Sequence, residues 1–215
     1  MLELAGVTKD FGGLRAVDDV SFSIARGTIT GLIGPNGAGK TTVFNLLAGA
    51  FKPTTGIISF DGERIDSLPN HGIFAKGLVR TFQIPRPFGE MTVLENLMLV
   101  PAGQVGEQFW NTWLRGGAVR AEERRNRDKA RDILEFIGLV RLADEPARNL
   151  SGGQQKLLEI ARGLMADPKM LLLDEPGAGV NPTLLGQIVD RIAELNQRGT
   201  TFLIIELSPI PISEP

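Results

Sequence analysis

Apolar and polar positions run in short blocks along the chain, and their period changes from block to block. Residues 2–33 read as short strands joined by turns. Within them Val17-Asp18-Asp19-Val20-Ser21-Phe22-Ser23-Ile24 partly alternates, as a half-buried strand does. Thr28-Ile29-Thr30-Gly31-Leu32-Ile33 is β-branched and apolar, which predicts a buried central strand. From Lys40 to Ala50 the period becomes helical, with Val43, Leu46, Leu47 and Ala50 on one face. Gly56 to Asp61 predicts a strand before a turn at Asp61-Gly62. From Thr92 to about Met165 the character is mostly helical, loosest at Trp110–Gly117 and most regular in a charged amphipathic helix from Ala118 to Gly138. Lys169 to Leu173 reads as a buried strand, Thr183 to Gln197 as an amphipathic helix stopped by Gly199, and Thr200 to Ile205 as the last strand. Strands alternating with helices around apolar β runs predict an α/β fold with a mainly parallel sheet.

Composition narrows the function more than the fold. With 215 residues the chain is long enough for one sizeable core, and its 42% apolar and 22% charged content is ordinary for a globular protein. The balance of 23 basic against 25 acidic residues argues against wholesale nucleic-acid binding. No cysteine is present, which excludes disulfides, thiolate metal sites and a cysteine nucleophile. No apolar run approaches the roughly 20 residues a membrane helix needs, and the acids in the opening segment do not suit a secretory signal. The expectation is a soluble, cytoplasmic chain, so that any membrane role requires another chain to do the spanning.

Two segments carry recognisable chemistry. Gly34-Pro35-Asn36-Gly37-Ala38-Gly39-Lys40-Thr41 fits a phosphate-binding loop between a strand and a helix. Glycines allow close backbone approach, and successive N–H groups at a helix start form an anion site. Lys40 would reach the terminal phosphates and the Thr41 hydroxyl would ligate Mg²⁺. The bland alternative is a glycine-rich turn with an exposed lysine. Further on, an apolar strand ends in Asp174-Glu175. At the carboxyl end of a strand Asp174 is placed to hold Mg²⁺, while Glu175, one residue on, can polarise a water as general base. A turn-forming Asp is the alternative there.

Leu150-Ser151-Gly152-Gly153-Gln154-Gln155-Lys156 precedes a helix whose apolar face is Leu157, Ile160, Ala161 and Leu164. Ser151 suits an N-cap, and on this segment alone a capped helix start is the simpler reading. The segment also resembles the signature motif of ABC-type ATPases, and the resemblance extends over residues 1 to about 206 in the family's order. Gly34–Thr41 resembles Walker A, Gln83 in Arg80-Thr81-Phe82-Gln83 the Q-loop glutamine, and Leu171–Glu175 Walker B. Asn181 in Gly179-Val180-Asn181-Pro182 sits where the D-loop belongs, at a position that is often Asp. Phe11 is similar to the aromatic that stacks on adenine. Phe11-Gly12-Gly13-Leu14-Arg15-Ala16-Val17, Val79–Gln83, Met91–Leu97 and Gly177–Pro182 together resemble the ATP-binding subunit of a branched-chain amino acid importer. A lipopolysaccharide-exporter ATPase is similar in several of these stretches.

The resemblance implies a P-loop NTPase (RecA-like) core, an N-terminal antiparallel β subdomain and an inserted helical subdomain at about 86–165. The cassette would cover residues 1–206, and residues 207–215 would form a divergent irregular tail on a shortened C-terminal end. It implies ATP and Mg²⁺ as ligands. Phe11, Val17, Asn36, Gly37, Ala38, Gly39, Lys40, Thr41 and Thr42 would hold the nucleotide, and Ser151, Gly152, Gly153 and Gln154 that of a partner subunit. Thr41, Gln83 and Asp174 would hold the metal, with Glu175 and Gln83 acting in catalysis. The implied partners are a second ATPase subunit packed head to tail, transmembrane permease subunits contacted by Ile84 to Leu99 and the helical segment, and indirectly a substrate-binding protein. Nucleic acid is not among them. The implied location is the cytoplasmic face of the membrane.

One departure bears on turnover. The family places a histidine after the last strand, following an acidic residue, whereas Glu206 is followed here by Leu207. The resulting expectation is that binding survives and hydrolysis falls, which leaves a nucleotide-binding module with little turnover as an alternative. Three other features take ordinary readings. The basic residues between Arg115 and Arg131, interleaved with Glu122, Glu123 and Asp128, suit a solvated helix face with local ion pairs, or more sharply a contact with headgroups or a partner. Trp110 and Trp113 suit a helical core, and His71 an exposed loop.

Overall fold

A computed structural model of the chain describes residues 1–81, 87–101 and 116–206. The expectations for Gln83, Pro85, Trp110, Trp113, Leu207 and the tail therefore lie outside the described residues. The chain divides into two units. The first holds residues 1–81, 168–178 and 185–206, and the second 87–101, 116–167 and 179–184.

The first unit contains two four-stranded sheets. One is antiparallel and built from β1 (Leu2–Phe11), β2 (Leu14–Ile24), β4 (Thr55–Phe60) and β5 (Glu63–Arg64), in the order β2-β1-β4-β5. The Asp61-Gly62 turn joining β4 to β5 has φ of 51° and 80°, the left-handed pair that a two-residue hairpin needs. The other sheet is parallel, in the order β3-β8-β7-β6, from β3 (Ile29–Ile33), β6 (Leu78–Arg80), β7 (Met170–Asp174) and β8 (Thr201–Glu206). Helices α1 (Lys40–Leu47) and α2 (Asn70–Ala75) also belong to this part. Every residue of β7 is buried, as its unbroken apolar run requires. Met170 and Leu172 of β7, with Leu203 and Ile205 of β8, join α1 residues Val43, Phe44, Leu46 and Leu47 and β1 residues Leu2, Leu4 and Val7 in one core.

The structure corrects three sequence expectations here. The strand Ile29–Ile33 is not central: it pairs only with β8 among the described residues, and Ile33 is 52% exposed. Its β-branched composition specifies a strand, but it carries no information about which neighbours flank it. The first helix ends at Leu47, because Gly49 takes φ 73° and the last turn closes on Asn45 and Leu46 carbonyls; Ala50 lies outside it and is exposed. His71 is exposed as expected but lies on α2, not in a loop, since extended Pro69 starts a helix rather than prolonging a turn.

The second unit is helical. It contains α3 (Val93–Met98), α4 (Gly116–Phe136), two short 3₁₀ turns at Val140–Leu142 and Ala147–Asn149, and α5 (Gly152–Met165). Leu134, Leu157, Leu158, Ile160, Ala161 and Leu97 are buried within it. The basic residue Lys129 of α4 is tethered to Asp167 at 2.5 Å and to the Met165 carbonyl at 2.9 Å. Helix α6 (Pro182–Gln197) starts in this unit and continues into the first, with Asn181 accepting from Leu184 N at 2.9 Å at its start.

Candidate functional site

The phosphate-loop residues lie between β3 and α1 as the sequence predicts. Gly37 and Gly39 have φ of 83° and 82°, a region that costs glycine nothing. At Gly39 the requirement is also spatial, because a Cβ there would run into the Ala16 carbonyl oxygen. Gly39 is the N-cap of α1 and brings no side chain to that helix start, so no capping side chain occupies the first-turn N–H groups. A backbone cradle of this kind at a helix N-terminus suits an anion. Lys40 is only 8% exposed and turns back on its own loop, donating to the Gly34 carbonyl at 2.5 Å and to the Pro35 carbonyl at 2.8 Å.

These residues line a cleft of about 250 Å³. Asn36, Gly37, Ala38, Gly39, Lys40, Thr41 and Thr42 form one wall, and Glu175 enters from the end of β7. Glu175 sits at φ 48°, with its N–H donated to the Ile205 carbonyl at 3.0 Å. The loop that follows is pinned by Glu206, whose Oε1 accepts from Gly177 N at 3.1 Å. A carboxylate is thus brought into the same cleft as an ammonium group and a row of N–H donors.

Other site expectations fall differently. Val17 is buried in the core at 5% exposure beside Gly39, and the cleft is lined instead by its neighbours Leu14, Arg15 and Ala16. Sequence reasoning missed Leu14, Arg15 and Ala16; the signal was their place just upstream of Val17, on the strand that returns from the Gly12 turn. Phe11 is outside the cleft lining and half-exposed. It packs edge-on against Phe51 at 5.2 Å between centroids, with Lys9 Nζ 5.0 Å above its ring. Asp174 is 3% exposed and accepts from Arg80 Nη2 at 2.9 Å, a partner the sequence did not suggest.

The fit to a divalent cation rests on the donor set. Thr41, in the cleft lining, offers a hydroxyl; Asp174, outside that lining and 3% exposed at the end of β7, offers a carboxylate; and the described residues hold no cluster of three acidic or imidazole side chains that could cage a metal alone. Mg²⁺ is commonly held by one or two protein oxygens together with the phosphates of its nucleotide, and this set fits that pattern.

In the second unit, Ser151 and Gln154 form a reciprocal capping box at the start of α5. Ser151 N donates to Gln154 Oε1 at 2.9 Å, and Gln154 N to Ser151 Oγ at 3.4 Å. Gly152 is exposed and open to solvent, whereas Gly153 packs so closely on the Leu184 side chain that no Cβ fits. The N-cap expected at Ser151 is present.

The arrangement has known counterparts. The family model described as "ABC transporter" matches residues 17–178, three quarters of the chain. The chain belongs to the ABC transporter family. Among its relatives, the probable branched-chain amino acid transport ATP-binding protein LivG of Archaeoglobus fulgidus is 45% identical over 210 residues, covering 96% of this chain and 79% of that protein. The high-affinity branched-chain amino acid transport ATP-binding protein BraF of Pseudomonas aeruginosa is 44% identical over 207 residues, covering 96% and 81%. The crystal structure of a nucleotide-free ATP-binding cassette from an ABC transporter superposes with a TM-score of 0.82 at 42% identity, covering 95% of this chain and 80% of that one. The protein is therefore an ABC-type ATPase with the expected P-loop NTPase fold, and the two sheets and helical unit described above are the cassette's parts. No helix among the described residues is long and apolar enough to cross a membrane.

Proposed function

We propose that the chain is the ATP-hydrolysing subunit that powers a membrane importer of branched-chain amino acids. The cargo class rests on the two relatives at 44–45% identity over nearly the whole chain. Hydrolysis rests on one observation above all: Lys40, Thr41 and Glu175 line a single cleft with the N–H cradle of α1.

That cleft, together with the family resemblance, supports the following steps. The backbone N–H groups of residues 36–42 receive the phosphates. Lys40 exchanges its two loop carbonyls for phosphate oxygens, a substitution that needs only its side chain to swing. Thr41, Asp174 and Gln83 would hold Mg²⁺, which would supply positive charge against that developing on the phosphates. Glu175 accepts the proton of the attacking water. Phe11 takes the base side, leaving Phe51 to stack, while Val17, buried beside Gly39, backs the strand that carries Leu14, Arg15 and Ala16 into the cleft. Ser151, Gly152, Gly153 and Gln154 take the terminal phosphate bound by a second copy. ATP then bridges two subunits, and its hydrolysis removes the bridge. The working partners are transmembrane permease subunits, and indirectly a substrate-binding protein, with the chain peripheral on the cytoplasmic face of the membrane.

A second reading is favoured by Leu207, which stands where the resemblance places a phosphate-sensing histidine: a nucleotide-binding subunit of low turnover. One experiment separates the outcomes. Fluorescent-ATP binding and steady-state phosphate release are measured on the wild type and Lys40→Ala. Binding that Lys40→Ala abolishes supports the site, and the release rate then chooses between the two readings. Equal binding by both proteins overturns the site. Amino-acid-stimulated turnover with a branched-chain permease tests the cargo.

A further inference from the structure

Arg80 ends β6, and its guanidinium joins two elements of the site. Nη2 donates to Asp174 Oδ2 at 2.9 Å and Nη1 to Asn45 Oδ1 at 2.6 Å. The group lies 5.7 Å from the centroid of the Phe44 ring. The Arg80 side chain is 13% exposed and that of Asp174 only 2%. Asn45 and Phe44 belong to α1, the helix that also carries Lys40 and Thr41, and Asp174 ends β7 one residue before Glu175.

The pairing has a cost that shows what it serves. Arg80 Nε is buried and has no acceptor among the described residues. A buried donor left unpaired is destabilising. The side chain is therefore placed by the partners at its far end. A planar fork meets two acceptors in fixed directions while its face lies over a ring, whereas an ammonium group is a point charge whose donors have no such fixed plane.

We propose that Arg80 is the positioning residue for the metal-side carboxylate. It fixes Asp174 against α1, so that the carboxylate and the Thr41 hydroxyl are presented together to Mg²⁺. This rests on the reading of the cleft as a Mg²⁺–ATP site. Outer partners that orient a metal-binding carboxylate typically contribute 10–100-fold in metal affinity.

The test uses the full chain and a fluorescent ATP analogue, first in EDTA and then as Mg²⁺ is titrated in. Arg80→Gln is expected to raise the Mg²⁺ concentration for half-maximal enhancement of binding about tenfold, with binding in EDTA unchanged. Arg80→Lys is expected to recover only part of that shift, because it restores charge without the fork. In an Asp174→Asn background, Arg80→Gln is expected to add nothing. Equal losses in EDTA and Mg²⁺, full rescue by lysine, or an Arg80→Gln shift that persists in Asp174→Asn would each overturn the proposal. A melting curve shows whether Arg80→Gln folds; if it does not, Arg80→Lys carries the same comparison in both backgrounds. A wild type that binds no nucleotide in either condition overturns the nucleotide reading itself, and no Arg80 variant is needed to see it.

Discussion

The role proposed for Glu175 favours turnover, and the leucine at 207 is expected to lower it. Glu175 enters the cleft from a left-handed backbone position fixed through the Ile205 carbonyl, so its placement belongs to the sheet and not to a loose loop. Glu175→Gln keeps the shape and removes the base. The expected result is a fall in steady-state turnover of about 10²–10⁴-fold with nucleotide affinity retained, read by phosphate release and equilibrium binding. Leu207 follows Glu206, whose carboxylate already holds the loop after Glu175. Leu207→His is expected to raise turnover by about tenfold or more without changing affinity, in the same two assays. No gain would count against the missing imidazole as the cause of slow hydrolysis. Much of this site was legible because the phosphate loop and the Asp174-Glu175 pair are contiguous runs whose local geometry suffices. Arg80 was not, because it lies 94 residues from Asp174 and meets it only through the parallel register that sets Arg80 beside Leu172. Phe11 and Val17 show the opposite limit. Their positions were marked, but side-chain packing on Phe51 and Gly39 decides where they point.

At the scale of elements, the unbroken apolar run of β7 and the helical period of α5 and α6 predict them well, since β7 is buried throughout and each helix buries one face. The same pattern misjudges β3, because strand composition reports burial tendency and not sheet order. Helix starts were legible where caps are local. Ser151 with Gln154 is one case, and Thr92 with Glu95 is another that sequence reading left unmarked. In the latter, the Thr92 backbone N–H and then its hydroxyl donate to Glu95, at 2.8 and 3.0 Å. These bonds hold the Glu95 carboxyl below its ordinary value. A carboxyl lowered in the folded state stabilises above the ordinary glutamate range and loses that contribution as pH falls through its folded value. Glu95→Ala is therefore expected to melt below the wild type at neutral pH, with the gap in Tm narrowing as the solution is taken toward about pH 3. A gap that stays constant across that range would assign the loss to helix propensity instead of the capping carboxylate.

For the whole molecule, the two helix starts proposed to meet phosphate have different chemistry. The start of α1 comes with a lysine and a carboxylate in a cleft, which suits reaction. The start of α5 has its capping box closed on itself, with Gly152 exposed beside it, which suits contact with something brought by another body. In a two-fold dimer each surface can serve the other copy's nucleotide, because such an interface is met by the same pair of patches twice. Slow hydrolysis should then trap the closed form, so Glu175→Gln with ATP is expected to run as a dimer by light scattering, and as a monomer with ADP. Gly152 supplies the control. A Cβ at this position meets nothing within 4 Å among the described residues, and an acidic residue at a helix start is tolerated or favoured there. Glu175→Gln/Gly152→Asp should therefore fold and bind ATP as Glu175→Gln does, yet remain monomeric, because the new carboxylate faces the partner's phosphates. Dimerisation that survives this charge would place the second copy's contact elsewhere than the start of α5.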